Sequence, residues 1–160
     1  MASQKINFVP NFDLKILKMS IATTQSNLKQ AVPFFMVTDI DRSLDFYING
    51  LGFEITIDWR PNGKLEWCWL ERERVVLMLQ EYRKEFLPKE KLGQGVSICF
   101  MCNDSLALYK EFLQKGLSLQ EPFVGNNLWV VQLFDPDGYN ICFESPTDAP
   151  EETKYSEWIK

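Results

Sequence analysis

The chain repeats itself. Phe35, Met36 and Asp39 return as Phe100, Met101 and Asp104 at an offset of 65 residues, and Leu77-Met78-Leu79-Gln80 returns as Ile141-Cys142-Phe143-Glu144 at an offset of 64. Both halves keep the order strand, acidic cap, helix, glycine, strands. A repeat of this kind implies two copies of one supersecondary unit that cannot bury its apolar face alone and packs against its twin. At 160 residues the chain has room for one such pair around a shared core.

In the first unit residues 32–37 predict a buried strand, and Asp39 can cap a helix whose Ile40, Leu44, Tyr47, Ile48 and Leu51 share one face. Gly50 and Gly52 stop it. Residues 53–59 predict a strand and Pro61-Asn62-Gly63 a turn, while residues 65–70 and 74–81 predict a hairpin around Glu71-Arg72-Glu73. The second unit has a strand over 96–102, then a helix capped by Asp104 or Ser105 that carries Leu106, Tyr109 and Leu113 and stops at Gly116. Its remaining strands fall at 117–120, 128–134 and 139–144. The last two are joined by Asp135-Pro136-Asp137-Gly138, whose composition by itself indicates a turn without chemistry. Residues 1–28 read as an N-terminal extension outside any site. The tail over 148–160 is acidic, and Tyr155, Trp158 and Ile159 leave open whether it docks or frays.

Composition excludes several functions. A net charge of -5 and a pI near 4.8 oppose nucleic-acid binding, which needs a basic face. The longest apolar run, residues 31–37, is far below the ~20 needed to cross a bilayer, so no membrane role is expected. The cysteines at 68, 99, 102 and 142 lie in apolar stretches, and no signal-like segment opens the chain; reduced thiols and a cytoplasmic location follow as expectations. Cys99 and Cys102 have redox-motif spacing but point to opposite faces of a strand. Most restrictive is the absence of histidine, which removes Ser/His and Cys/His dyads and the commonest transition-metal ligand.

Residues 35–53 (FMVTDIDRSLDFYINGLGF) and 134–144 (FDPDGYNICFE) resemble the two signature segments of the vicinal-oxygen-chelate superfamily, which includes glyoxalase, bleomycin resistance proteins and dioxygenases. The resemblance covers about residues 29–147. It implies an α+β fold of two βαβββ modules, about residues 29–84 and 92–147, forming an eight-stranded curved mixed sheet with a concave pocket. In metal-dependent relatives four side chains of that pocket hold the ion; by distance from the motifs they correspond to Val32, Met78, Ser97 and Cys142. Val32 and Met78 are no ligands for such an ion, Ser97 is a poor one, and one thiol cannot hold it alone. No metal and no cofactor are therefore expected, and glyoxalase I or extradiol chemistry is disfavoured. The resemblance points to the metal-free bleomycin-resistance branch, whose members are dimeric and sequester drugs.

Strand alternation then gives a candidate ligand face. Phe34, Met36, Met78, Gln80, Ser97, Cys99 and Cys142 share parity with the mapped positions. The repeat offset places Trp67, Trp69 and Trp129 with them, although the opposite parity would return these tryptophans to the core. Aromatic and thioether side chains suit a flat organic ligand. Glu144 is the candidate functional carboxylate. The expected function is a metal-independent binding protein for a small organic molecule, homodimeric by resemblance. The alternatives are a metal-independent isomerase or lyase with Glu144 as base, and an interaction module without ligand.

Overall fold

The computed structural model describes residues 27–90 and 92–160; nearly all of the extension over 1–28 lies outside them. β1 is Phe34–Val37. Asp39 ends its turn with an extended backbone, and its Oδ1 accepts from the Arg42 backbone N at 3.0 Å, opening α1, Ile40–Leu44. The helix continues as a π-helical turn, Asp45–Gly50, which widens the coil where the large Phe46 and Tyr47 rings must enter the interior. β2 is Glu54–Trp59, β3 Trp67–Arg72 and β4 Val75–Glu81. The second module repeats the plan with β5, Ser97–Met101, and α2, Ser105–Gln114, where Asp104 Oδ1 accepts from Ala107 N at 2.9 Å. β6 is Phe123–Gly125, β7 Leu128–Phe134 and β8 Asn140–Pro146, followed by the short α3, Tyr155–Trp158.

The strands hydrogen-bond as two four-stranded mixed sheets with the same order, β1-β4-β3-β2 and β5-β8-β7-β6. In each, the first strand runs parallel to the last and the other pairs are antiparallel. The repeat is carried into register: Phe35 pairs with Leu79 as Phe100 pairs with Phe143, and Met36 pairs with Gln80 as Met101 pairs with Glu144.

One strand differs from expectation. Residues 117–120 form no strand, and Gln120 N makes a single backbone bond to Gln132 O at 3.3 Å. Pro122 has no N–H to give to a ladder, so pairing begins only at Phe123. The edge strand is instead the first arm of a two-residue hairpin whose Asn126 and Asn127 sit at φ 54 and φ 59, the left-handed pair a type I′ turn requires.

One face of both sheets builds a single core. Val37, Leu70, Leu77 and Leu79 of the first sheet and Val131, Leu133 and Ile141 of the second lie within 1% exposure, with Tyr47 and Phe112 from the helices. Each such side chain contributes about 1.5–3 kcal/mol of transfer free energy. The two signature segments meet at this core. Tyr47 Oη donates to Asp135 Oδ2 at 3.2 Å, and Tyr139 Oη donates to the Met36 carbonyl at 3.0 Å. Asp137 accepts from Thr38 N and Arg42 Nη2, each at 3.0 Å. The Asp135-Pro136-Asp137-Gly138 turn thus clasps the first helix to the second module.

The tail docks. Val124 N donates to Thr153 O at 2.9 Å, Tyr155 meets Tyr109 edge-on at 5.4 Å, and Trp158 meets Trp129 at 6.1 Å.

Candidate functional site

Each sheet turns its second face away from the core. On the first sheet two rows of side chains cross this open face: Met36, Gln80, Trp67 and Trp59, then Phe34, Met78, Trp69 and Ile57. A bulge between Ile55 and Ile57 in β2 brings Ile57 and Trp59 into register with the tryptophans of β3. Phe34, Ile57 and Trp59 are 48%, 56% and 47% exposed. An uncovered surface of two such rows, carrying Phe34, Trp59, Trp67 and Trp69, is unusual for a lone chain.

The open face of the second sheet is more polar. Its rows are Ser97, Asn140 and Phe134; Cys99, Cys142 and Gln132; and Met101, Glu144, Val130 and Phe123. Gln132 Nε2 donates to Asn140 Oδ1 at 2.9 Å, and Asn140 Nδ2 donates to Ser97 Oγ at 2.6 Å. Glu144 is half-buried beside both thiols.

The structure thus places Phe34, Met36, Trp67, Trp69, Met78 and Gln80 on one open face and Ser97, Cys99, Cys142 and Glu144 on another. Trp129 is on neither. It is buried at the helix side of β7 with Val124 and Ala149, against Leu106 and Tyr155. The reason is a one-residue slip: Trp67 pairs with Gln80 as Val130 pairs with Glu144, an offset of 63 rather than 64. With a side-chain period of two, that single residue moves Trp129 to the opposite face. The first module's Trp59 and Ile57, which no sequence signal singled out, take the place expected of Trp129.

The four positions that the resemblance maps to metal ligands, Val32, Met78, Ser97 and Cys142, do not fit an ion here. Val32 has no donor atom, Met78 lies between Phe34 and Trp69, and Ser97 Oγ already accepts from Asn140. Only Cys142 remains, and four-ligand coordination cannot rest on it.

The thiols are held protonated. Burial pushes Cys68 up to about 11; desolvation and then the Glu144 carboxylate push Cys99 up to about 12. Burial raises Cys102 and Cys142 as well, and it raises Tyr47 well above the usual tyrosine value, with Asp135 adding to it. All these groups bind their protons more tightly folded than unfolded. Their contribution is therefore complete below the unfolded values, about 8.5 for cysteine and about 10 for tyrosine, and is lost as pH rises toward the folded ones. The melting temperature should fall steadily above about pH 8.5, with a shallower fall in Cys68→Ala; a level Tm through about pH 10 contradicts this.

A cavity of about 710 Å³ lies elsewhere. It opens between the β3–β4 turn and the β5–α2 loop, over Phe53, Phe100 and Phe143, with Arg74, Asn103 and Asp104 at its rim. Arg72 there is already engaged, donating to the Leu51 carbonyl and pairing with Glu111 at 2.9 Å.

The sequence model of the Glyoxalase/Bleomycin resistance protein/Dioxygenase superfamily matches residues 28–143. The chain belongs to this superfamily. Solved structures share the superfamily fold. A glyoxalase-related enzyme from Clostridium phytofermentans is 14% identical with a TM-score of 0.61, covering 77% of this chain and 98% of its own. TnmS3, an antibiotic binding protein from Streptomyces sp. CB03234, is 20% identical with a TM-score of 0.57, covering 74% and 98%. A glyoxalase/bleomycin resistance protein/dioxygenase from Nocardioides is 16% identical with a TM-score of 0.58, covering 79% and 90%. No curated protein sequence matches the chain. Among the described residues no helix of this superfamily member is long and apolar enough to cross a membrane.

Proposed function

We propose that this superfamily member binds a small organic molecule of flat, aromatic character across the tryptophan-bearing open face of its first sheet, without needing a transition metal. The observation that carries the reading is the pair of rows Met36-Gln80-Trp67-Trp59 and Phe34-Met78-Trp69-Ile57. They combine stacking surfaces, polarizable thioethers and one amide able to orient a polar group. The antibiotic-binding role of TnmS3, which shares the fold, supports it. The net charge of -5 favours a neutral or cationic ligand. Four free thiols fit a reducing cytoplasm.

A ligand on the first sheet leaves the open face of the second sheet uncovered. We assign the cover of the second sheet's open face to a second copy of the chain, which meets the exposed Met101 and Phe134. Sedimentation equilibrium should give a dimer that Phe134→Glu converts to monomer with the fold retained by circular dichroism. A wild-type monomer at micromolar concentration contradicts the dimer.

Ligand binding is tested by thermal shift and tryptophan fluorescence against aromatic antibiotics, bleomycin among them, since a ligand of the folded state raises Tm. The 710 Å³ cavity supports a second reading, because its volume suits a drug-sized molecule. Binding lost in Leu108→Trp and kept in Trp69→Ala would favour the cavity; the reverse favours the open face.

A further inference from the structure

We propose that Cys99, Cys142 and Glu144 form a binding site for a thiophilic divalent cation of the zinc type. The site goes beyond the organic-ligand reading, which needs no ion, and it uses side chains other than the superfamily's four metal positions except for Cys142.

β5 and β8 run parallel with Cys99 directly opposite Cys142, and Glu144 is the next residue of β8 on the same face. Strand pairing thus delivers all three to one spot, and their ligand atoms lie within 4.8 Å of one another. A tetrahedral zinc with sulfur at about 2.3 Å and oxygen at about 2.1 Å needs its ligands roughly 3.5–3.8 Å apart. The remaining closure is about 1 Å, within reach of side-chain rotation on a fixed backbone. Two thiolates and a carboxylate select zinc or cadmium over magnesium or calcium, and three protein ligands leave a fourth position for water.

The surroundings fit a cation. No Lys or Arg pairs with Glu144 among the described residues, and the neighbouring side chains of this face are Ser97, Met101, Asn140, Gln132 and Val130. Cys99 is exposed and gives the ion an entry path, while Cys142 is buried and forms the floor. In the ion-free chain Cys142 Sγ–H points toward Asn140 Oδ1 at 4.0 Å, which is itself held by Gln132; this contact is given up when the thiol loses its proton to the ion. Binding breaks two S–H bonds and forms two metal–thiolate bonds, and both protons leave to the buffer.

The test uses the full chain, reduced, treated with a chelator and desalted, then titrated with ZnCl2 by calorimetry and with CdCl2 by ultraviolet absorption. The expected result is one ion per chain, a cadmium–thiolate charge-transfer band, and release of about two protons per ion, read from the dependence of the heat on buffer. Cys99→Ser and Cys142→Ser should each weaken zinc at least tenfold, and Glu144→Gln by several-fold. Cys68→Ala and Cys102→Ser should bind as the parent does. Binding unchanged in the Cys99→Ser/Cys142→Ser double variant, or no charge-transfer band in a chain with four free thiols, overturns the site. Antibiotic binding measured on the same variants separates the two proposals: loss of zinc with the organic ligand still bound leaves the earlier reading standing.

Discussion

Tyr47→Ala is expected to destabilise the fold by about 3–5 kcal/mol, a large share of the roughly 5–15 kcal/mol that holds a domain together. Three consequences of the sequence converge on this residue. The π-helical turn carries it into the core, where it is fully buried; its ring contacts Phe35, Phe46 and Phe53; and its hydroxyl donates to Asp135. Alanine leaves a cavity and removes the link between the two signature segments. Tyr47→Phe separates the two effects, because it keeps the ring and deletes only the hydroxyl. Asp135 is 4% exposed, and burial raises its carboxyl above the usual range, so losing one of its three donors should cost about 1–3 kcal/mol. Thermal melts should therefore rank wild type above Tyr47→Phe above Tyr47→Ala, the last lower than the parent by about 10 °C or more. Equal losses in the two variants would mean that the hydroxyl, not the ring, holds the modules together.

Trp69→Ala and Trp67→Ala are expected to weaken the organic ligand by about 2 kcal/mol or more each, roughly thirtyfold. Both side chains are half-buried in the middle of the open face, Trp69 between Met78 and Ile57 and Trp67 between Gln80 and Trp59. A central, partly desolvated aromatic is where truncation removes most contact with a stacked ligand. Stability should change far less than in the Tyr47 variants, since these rings point away from the helix-side core. Fluorescence titration of each variant, with its melting curve as control, checks both halves. Affinity unchanged in the Trp67→Ala/Trp69→Ala pair would remove the ligand from this face.

Much of the fold was legible because the repeat is a statement about register. The offsets of 65 and 64 hold for β1, β5, β4 and β8, and they align Phe35 with Phe100 and Leu79 with Phe143. The same reasoning failed at β7, where one residue fewer separates the modules and parity inverts, so Trp129 was expected on a face it does not occupy. The Asn126-Asn127 hairpin was missed because the strand signal at 117–120 is stronger than the three-residue edge strand that forms after Pro122. Docking of the tail was left open because Tyr155 and Trp158 find partners, Tyr109 and Trp129, that lie far away in the chain. At the candidate site, parity alone put Cys99 and Cys142 on one face. Only the register of two parallel strands brings them opposite each other with Glu144 beside them.

Ligand affinity with and without a strong chelator bears most directly on the proposed function. The resemblance maps the superfamily's ion-holding positions to Val32, Met78, Ser97 and Cys142, and in the proposed function stacking and dispersion hold the organic molecule without an ion. Fluorescence titration of an antibiotic that raises Tm should give the same Kd in chelator and after addition of Zn, Ni, Mn or Fe. Binding abolished by the chelator and restored by one of those ions contradicts it.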